Sequence, residues 1–135
     1  MIAYLDSAEG IAPDQLAGFF VGWPNPPTPP THRRLLQQSD FVVLACDDQS
    51  GQVVGFITAI SDGVLSAYIP LLEVLPANQR QGIGAELVRR MLANLDGLYM
   101  VDLLCDAELQ PFYARFGLRP AGSMLRRNYA RQSGD

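Results

Sequence analysis

The chain has a single histidine and two cysteines in 135 residues, too few imidazole and thiolate donors for a zinc site, so no metal is expected. Cys46 and Cys105 each lie inside or beside an apolar, strand-like run. There a small buried thiol is the expected state, in place of a disulfide or a nucleophile. Positive charge is also in deficit, with 10 Lys+Arg against 14 Asp+Glu and a net charge of −4. A nucleic-acid binder would show a basic stripe, so that class of partner is not expected. A cationic acceptor such as an amine is compatible with the balance. No window supplies the roughly 18 uninterrupted apolar residues of a membrane span. The opening residues, Met1-Ile2-Ala3-Tyr4-Leu5-Asp6, lack the basic region and apolar stretch of a secretory leader, so a cytoplasmic location is expected.

What is present suits a globular fold. Apolar residues make up 48% and charged residues 18%, enough to build a core and too little charge for a disordered segment. The length fits one domain, expected over residues 1–130, with residues 131–135 as a disordered tail. Ile2 to Leu5 reads as a short strand. From Pro13 to Val21, Leu16, Phe19 and Phe20 recur at helical spacing, with Pro13 suited to a first turn. Five prolines then fall between Trp23 and Pro30 and exclude a central strand. Two readings stay open for this run: a stiff connector, or a wall of an acceptor pocket with Trp23 as its aromatic face. Thr31 to Gln38 reads as a second short helix that turns Leu35 and Leu36 inward. Phe41–Cys46, Val53–Ile60 and Val64–Leu75, separated by turns at 47–51 and 61–63, read as an antiparallel meander.

The period then changes. Ile83, Leu87, Val88, Met91, Leu92 and Leu95 share one helical face, with Glu86, Arg89, Arg90 and Asn94 opposite, and Gly97 marks the stop. Leu98 to Leu104 is a near-continuous apolar run and reads as a strand buried on both faces, which would bury Asp102 with it. Glu108 to Phe116 reads as a short helix ended by Gly117, and Leu118 to Tyr129 as one or two last strands. The fold class is therefore α+β: a mostly antiparallel central sheet with one parallel crossover, flanked by helices.

The step from meander to helix, Gln79-Arg80-Gln81-Gly82-Ile83-Gly84, carries the chemistry. The first amides of a helix lack intrahelical partners and sit at the positive end of its dipole. Glycines at 82 and 84 clear side chains from the backbone, and Arg80 adds a formal charge. Together these make an anion cradle. A dinucleotide fingerprint would need a third glycine where Leu87 stands, and a P-loop would need Gly-Lys-Ser/Thr. Tight helix–sheet packing is the other reading of the two glycines.

Val74, the Gln79-x-x-Gly82-x-Gly84 spacing and the amphipathic helix after it resemble the acetyl-CoA-binding motif of the GNAT superfamily, the Gcn5-related N-acetyltransferases. The element order resembles the GNAT fold over nearly the whole chain. A second stretch, Leu104 to Gly122 with Pro111-Phe112-Tyr113-Ala114-Arg115-Phe116-Gly117 at its centre, resembles the corresponding segment of arylalkylamine N-acetyltransferases. The histidines that those enzymes carry on the central strand are Tyr68 and Pro70 here.

The resemblance implies acetyl-CoA as co-substrate. Gln79, Arg80, Gln81, Gly82, Ile83, Gly84 and Ala85 would hold the pyrophosphate, largely through backbone N–H groups. Leu72 and Val74 would pair with the pantetheine arm, beside a bulge that splays this strand from the next. Asp106, Pro111, Phe112 and Tyr113 would complete the cofactor site. The Val74 N–H would polarise the thioester carbonyl, and Tyr113 would be the general acid for the departing thiolate. A phenol near pKa 10 can donate to a thiolate of basicity about 8.5. No carboxylate or histidine matches the catalytic base of related enzymes, and water relayed by Tyr68 is the expectation. Glu73, between the two pantetheine positions, should point to the opposite face. His32 is expected at the surface. Trp23, Asn25, Tyr68, Arg126, Arg127 and Asn128 are candidates to line the acceptor site. The acceptor would be a small-molecule amine or a peptide amino group, and a homodimer through the later strands is compatible with the family. Two other functions stay open: an acyl-CoA-sensing module without catalysis, and a nucleotide-binding domain.

Overall fold

The computed structural model describes every residue from Met1 to Asp135. Five strands form one sheet in the order of the chain: β1 (Ile2–Leu5), β2 (Phe41–Asp47), β3 (Val53–Ser61), β4 (Ser66–Val74) and β5 (Met100–Leu103). The first four are antiparallel neighbours and β4–β5 is the parallel pair. The crossover between them is α2 (Ile83–Asn94). The expected α+β class and its single parallel crossover are what the structure shows.

Both faces of the central strands are covered. On one side α2 turns Ile83, Leu87, Val88, Met91 and Leu95 onto Val43, Ala45, Ile57 and Ala59. Gly55 permits this close seat, because a Cβ there would lie 3.1 Å from Leu87 and 3.3 Å from Ile83. On the other side Leu36 of α1 (Pro29–Gln38) and the segment from Ala8 to Phe20 cover Val42, Leu44 and Phe56. The last two prolines of the proline run open α1: Thr28 caps it by accepting the Thr31 N–H at 3.4 Å, and a ring without an N–H costs nothing in a first turn.

Four local expectations are corrected. Residues 13–21 form a 3-10 turn at Pro13–Leu16 in place of a helix, because Gly18 (φ +93°) and Phe20 (φ +62°) turn left-handed. The strand expected over 98–104 is the short β5 at the sheet edge, so Tyr99, Met100, Asp102 and Leu104 are exposed. A continuous apolar run does not distinguish a central strand from an edge strand. Residues 118–128 form no strand. His32 is 1% exposed, enclosed by Phe19, Phe20 and Phe56 at ring-centroid distances of 5.3, 4.8 and 4.5 Å.

The helix expected over 108–116 is a 3-10 turn at Ala107–Leu109 that runs into α3 (Gln110–Ala114), and Gly117 follows at φ +88°. Beyond a further 3-10 turn at Tyr129–Arg131, the chain's end lies against α1, where Arg34 donates to the Gly134 carbonyl at 3.3 Å.

Candidate active site

Strand β4 changes faces part-way along. Ala67 and Ile69 point to the α2 side of the sheet, and so do Leu72 and Val74. Strict alternation would put 69 and 72 on opposite faces, so the strand carries an extra residue between them. The register agrees: Thr58 pairs with Leu71 and Ile60 with Tyr68, two steps on β3 against three on β4. This bulge falls around Pro70, which has no N–H to give to a ladder. It lies earlier in the strand than the Leu72–Val74 positions where the sequence placed it.

The bulge is also where the sheet opens. Pairing of β4 with β5 runs from Ser66↔Met100 to Ile69↔Leu103 and stops there. Beyond it lies a cleft of about 610 Å³ between residues 69–74 on one wall and Leu103, Leu104, Cys105, Asp106, Leu109 and Tyr113 on the other. On the β3 side, the Leu75 N–H donates to the Val54 carbonyl at 2.8 Å. That makes Gly55↔Val74 a pair that exchanges no hydrogen bonds, and Ile57↔Leu72, two residues on, another. The N–H and C=O groups of Leu72 and Val74 therefore point away from β3, into the gap that β5 has left. An extended arm carrying amides fits such an edge.

At the mouth of the cleft, no amide from Arg80 to Ala85 donates to another backbone group, and the first bond of the turn is Glu86 N–H to the Gly82 carbonyl at 3.1 Å. Arg80 (φ +63°) and Gly82 (φ +82°) both lie in the left-handed region, which curls successive N–H groups toward one point. Gln79 ties this loop to the strand by donating from Nε2 to the Val74 carbonyl at 3.0 Å. A Cβ on Gly82 would meet nothing within 4 Å, and one on Gly84 would touch Val74 and Phe112 at an ordinary 3.8 Å. Tight helix–sheet packing is thus the work of Gly55, while Gly82 faces open space and Gly84 sits at no more than ordinary contact distance. A dianion or diphosphate fits this cradle of unpaired amides and one arginine.

Tyr113 is half-buried on the β5 wall, next to Cys105. Burial, and secondarily the charge of a Cys105 thiolate, push its pKa above the ordinary 10, so the phenol keeps its proton at neutral pH. Both cysteines are free; Cys46 is buried as expected, while Cys105 is half-exposed along the cleft. Of the acceptor-site candidates, Trp23 and Arg127 line the cleft, and Asn25, Tyr68, Arg126 and Asn128 do not. Tyr68 stands just beyond the closed end. With Ala67 and Ile69 on the α2 side, it faces the same side as Leu71 and Glu73. Sequence reasoning did not find Phe20, Val21 and Phe56, which line the cleft with Trp23; they arrive from segments with no local motif. No helix is long and apolar enough to cross a membrane, and no three His, Cys, Asp or Glu side chains come together as a metal site.

A mixed sheet that splays at a bulge, with a bare helix amino terminus at the mouth of the gap, suits an extended ligand with an anionic end. The chain belongs to the GNAT family: the model of the acetyltransferase (GNAT) domain matches residues 23–132. An acetyltransferase-assigned crystal structure from Deinococcus radiodurans is 51% identical, with a TM-score of 0.94 over 98% of this chain and 92% of that one. A GNAT-family acetyltransferase from Streptococcus pneumoniae is 30% identical, with a TM-score of 0.76 over 95% of this chain and 98% of the other. Chloroplastic GCN5-related N-acetyltransferase 3 of Arabidopsis thaliana is 41% identical over 70 residues, half of this chain. That match spans 30% of the plant protein's length.

Proposed function

We propose that the chain moves the acetyl group of acetyl-CoA to a primary amine by direct attack on the thioester. The observation that carries this is the run of open amides in the loop of residues 80–85 leading to the strand edge that Leu72 and Val74 turn into the gap, where Gln79 takes the Val74 carbonyl and leaves its N–H to the cleft. Those two stretches match the two polar parts of the cofactor: the loop takes the pyrophosphate, and the strand edge takes the pantetheine amides. Asp106 lies on the opposite wall and Phe112 beside Gly84, while Pro111 does not line the cleft.

In this reading the amine nitrogen attacks the thioester carbon and the carbonyl oxygen gathers negative charge. The Val74 N–H, already aimed into the gap, stabilises that oxygen without reorganisation. The carbon–sulfur bond then breaks, and the Tyr113 hydroxyl gives its proton to the coenzyme A sulfur. The acceptor must shed a proton as well. An alkylamine of pKa near 10.4 is about one-thousandth neutral at pH 7.4, which costs roughly 4 kcal/mol. Water relayed past Tyr68, on the acceptor face of β4, is assigned that traffic. Thiol release from acetyl-CoA across a panel of small amines and amino-terminal peptides tests the proposal. Acetylated product on one acceptor class supports it. Tight acetyl-CoA binding with no turnover on any acceptor would make the chain an acyl-CoA sensor instead.

The assembly proposed is a homodimer. The outer edge of β5 is unpaired, and residues 118–127 make no backbone–backbone hydrogen bond, although Met124 is 99% exposed and Leu125 60%. An open edge and an unattached apolar segment in the same chain complement each other across two copies. Light scattering at micromolar concentration should give twice the chain mass, and a monomer throughout would refute the dimer.

A further inference from the structure

Glu73 lies between the two strand positions that line the gap, on the opposite face. Its carboxylate grips a segment 52 and 53 residues away, accepting the Phe20 N–H at 2.8 Å and the Val21 N–H at 3.2 Å. The gripped segment does not hold its shape by itself. Phe20 is a bulky residue at φ +62°, between left-handed Gly18 and Gly22, a conformation that persists only where the surroundings over-determine it. The Trp23 N–H closes the turn onto the Phe20 carbonyl at 3.1 Å. The Phe20 ring then sits 4.9 Å from Trp23 and 4.8 Å from His32. Phe20, Val21 and Trp23 all face the cleft. One carboxylate therefore fixes the backbone that presents the aromatic wall.

We infer that Glu73 is a positioning residue for acceptor binding: it clamps the Gly18–Trp23 loop so that Phe20 and Trp23 form the acceptor-side wall of the cleft. The strand segment that holds the acyl donor through Leu72 and Val74 thereby sets the place of the acceptor through the residue between them. Glu73 acts through the loop and not on the reacting atoms. This rests on the acyl-transfer reading above, but one arm of its test does not. Trp23 is the chain's single tryptophan, so its emission reports the loop without turnover.

The test compares Glu73→Ala and Glu73→Gln with the wild type. Both charge-assisted bonds vanish in the alanine variant, and glutamine keeps one oxygen that can accept. Trp23 emission should move to longer wavelength in Glu73→Ala and partly return in Glu73→Gln. KM for the acceptor should rise about ten- to a hundredfold in the alanine variant, less in the glutamine variant. KM for acetyl-CoA and kcat at saturating acceptor should stay within about twofold in both. Unchanged Trp23 emission in Glu73→Ala would overturn the clamp, and so would an equal rise in KM for acetyl-CoA. A kcat loss in Glu73→Gln with an altered acidic limb of the pH profile would overturn it too, making Glu73 a proton carrier. If the wild type turns over no amine while the emission shifts as stated, the proposed reaction fails and the clamp survives. Should the alanine variant not fold, the glutamine variant carries the same emission and KM comparison.

Discussion

The first 95 residues and the last 40 are built differently. Every one of the 27 buried residues lies at or before Leu95. After it come β5, α3 and an extended segment, with no residue fully enclosed. The amino-terminal part is a sheet packed on both faces, and it holds the strand edge at Leu72 and Val74 and the loop of open amides at residues 80–85. The carboxyl-terminal part contributes the facing wall and Tyr113. The difference teaches that burial is divided along the chain: the first part is enclosed on both faces, and the last part lines the cleft without an enclosed residue of its own. Regions with few buried contacts are the ones that open most readily.

Substitutions can break that comparison. The largest stability effect is expected at Phe56, fully buried under Phe19 and Phe20. Phe56→Ala should cost about 3–5 kcal/mol in urea unfolding. An equal cost from any truncation beyond Leu95 would erase the division. Tyr113→Phe should show the reverse pattern. Its kcat should fall about a hundredfold or more, with acetyl-CoA affinity intact and stability within about 1 kcal/mol. An unchanged rate would remove Tyr113 from the mechanism. Because burial raises its pKa above 10, the phenol stays protonated as pH rises, so any loss of rate from its ionisation belongs above pH 10.

A further effect belongs to the packed half alone. Burial among three phenyl rings lowers the His32 pKa from 6.5 to about 4. Between those values the unfolded chain takes up a proton that the folded chain refuses. Stability is therefore full above about pH 7 and falls as pH drops from 6.5 toward 4, by roughly 3 kcal/mol in all. His32→Phe should flatten that part of the stability–pH curve. A slope unchanged by the substitution would mean that the histidine titrates freely.

What could be read from the sequence follows from range. The α2 helix and its buried face were legible because a 3.6-residue period is local, and the cradle because its glycines and Arg80 are neighbours in sequence. The burial of His32 was not legible, since its cage comes from residues 19, 20 and 56, in separate segments. Nor was the hold of Glu73 on Phe20 and Val21, which spans half a hundred residues. The apolar residues of 98–104 suggested a strand enclosed on both faces. That inference failed because a short apolar run reads the same in an edge strand as in a central one. Gly55 shows the same limit: its need for closeness to α2 depends on a helix nearly thirty residues later.

Calorimetric titration of coenzyme A into the wild type and into the double variant Gly82→Val with Gly84→Val tests the central claim most directly. Side chains at those two positions would cover the unpaired amides of the cradle. The account predicts an affinity at least about a hundredfold weaker in a double variant that still unfolds cooperatively, with a midpoint lowered by the strain of a valine at φ +82°. Coenzyme A bound with equal affinity by a folded double variant would contradict it.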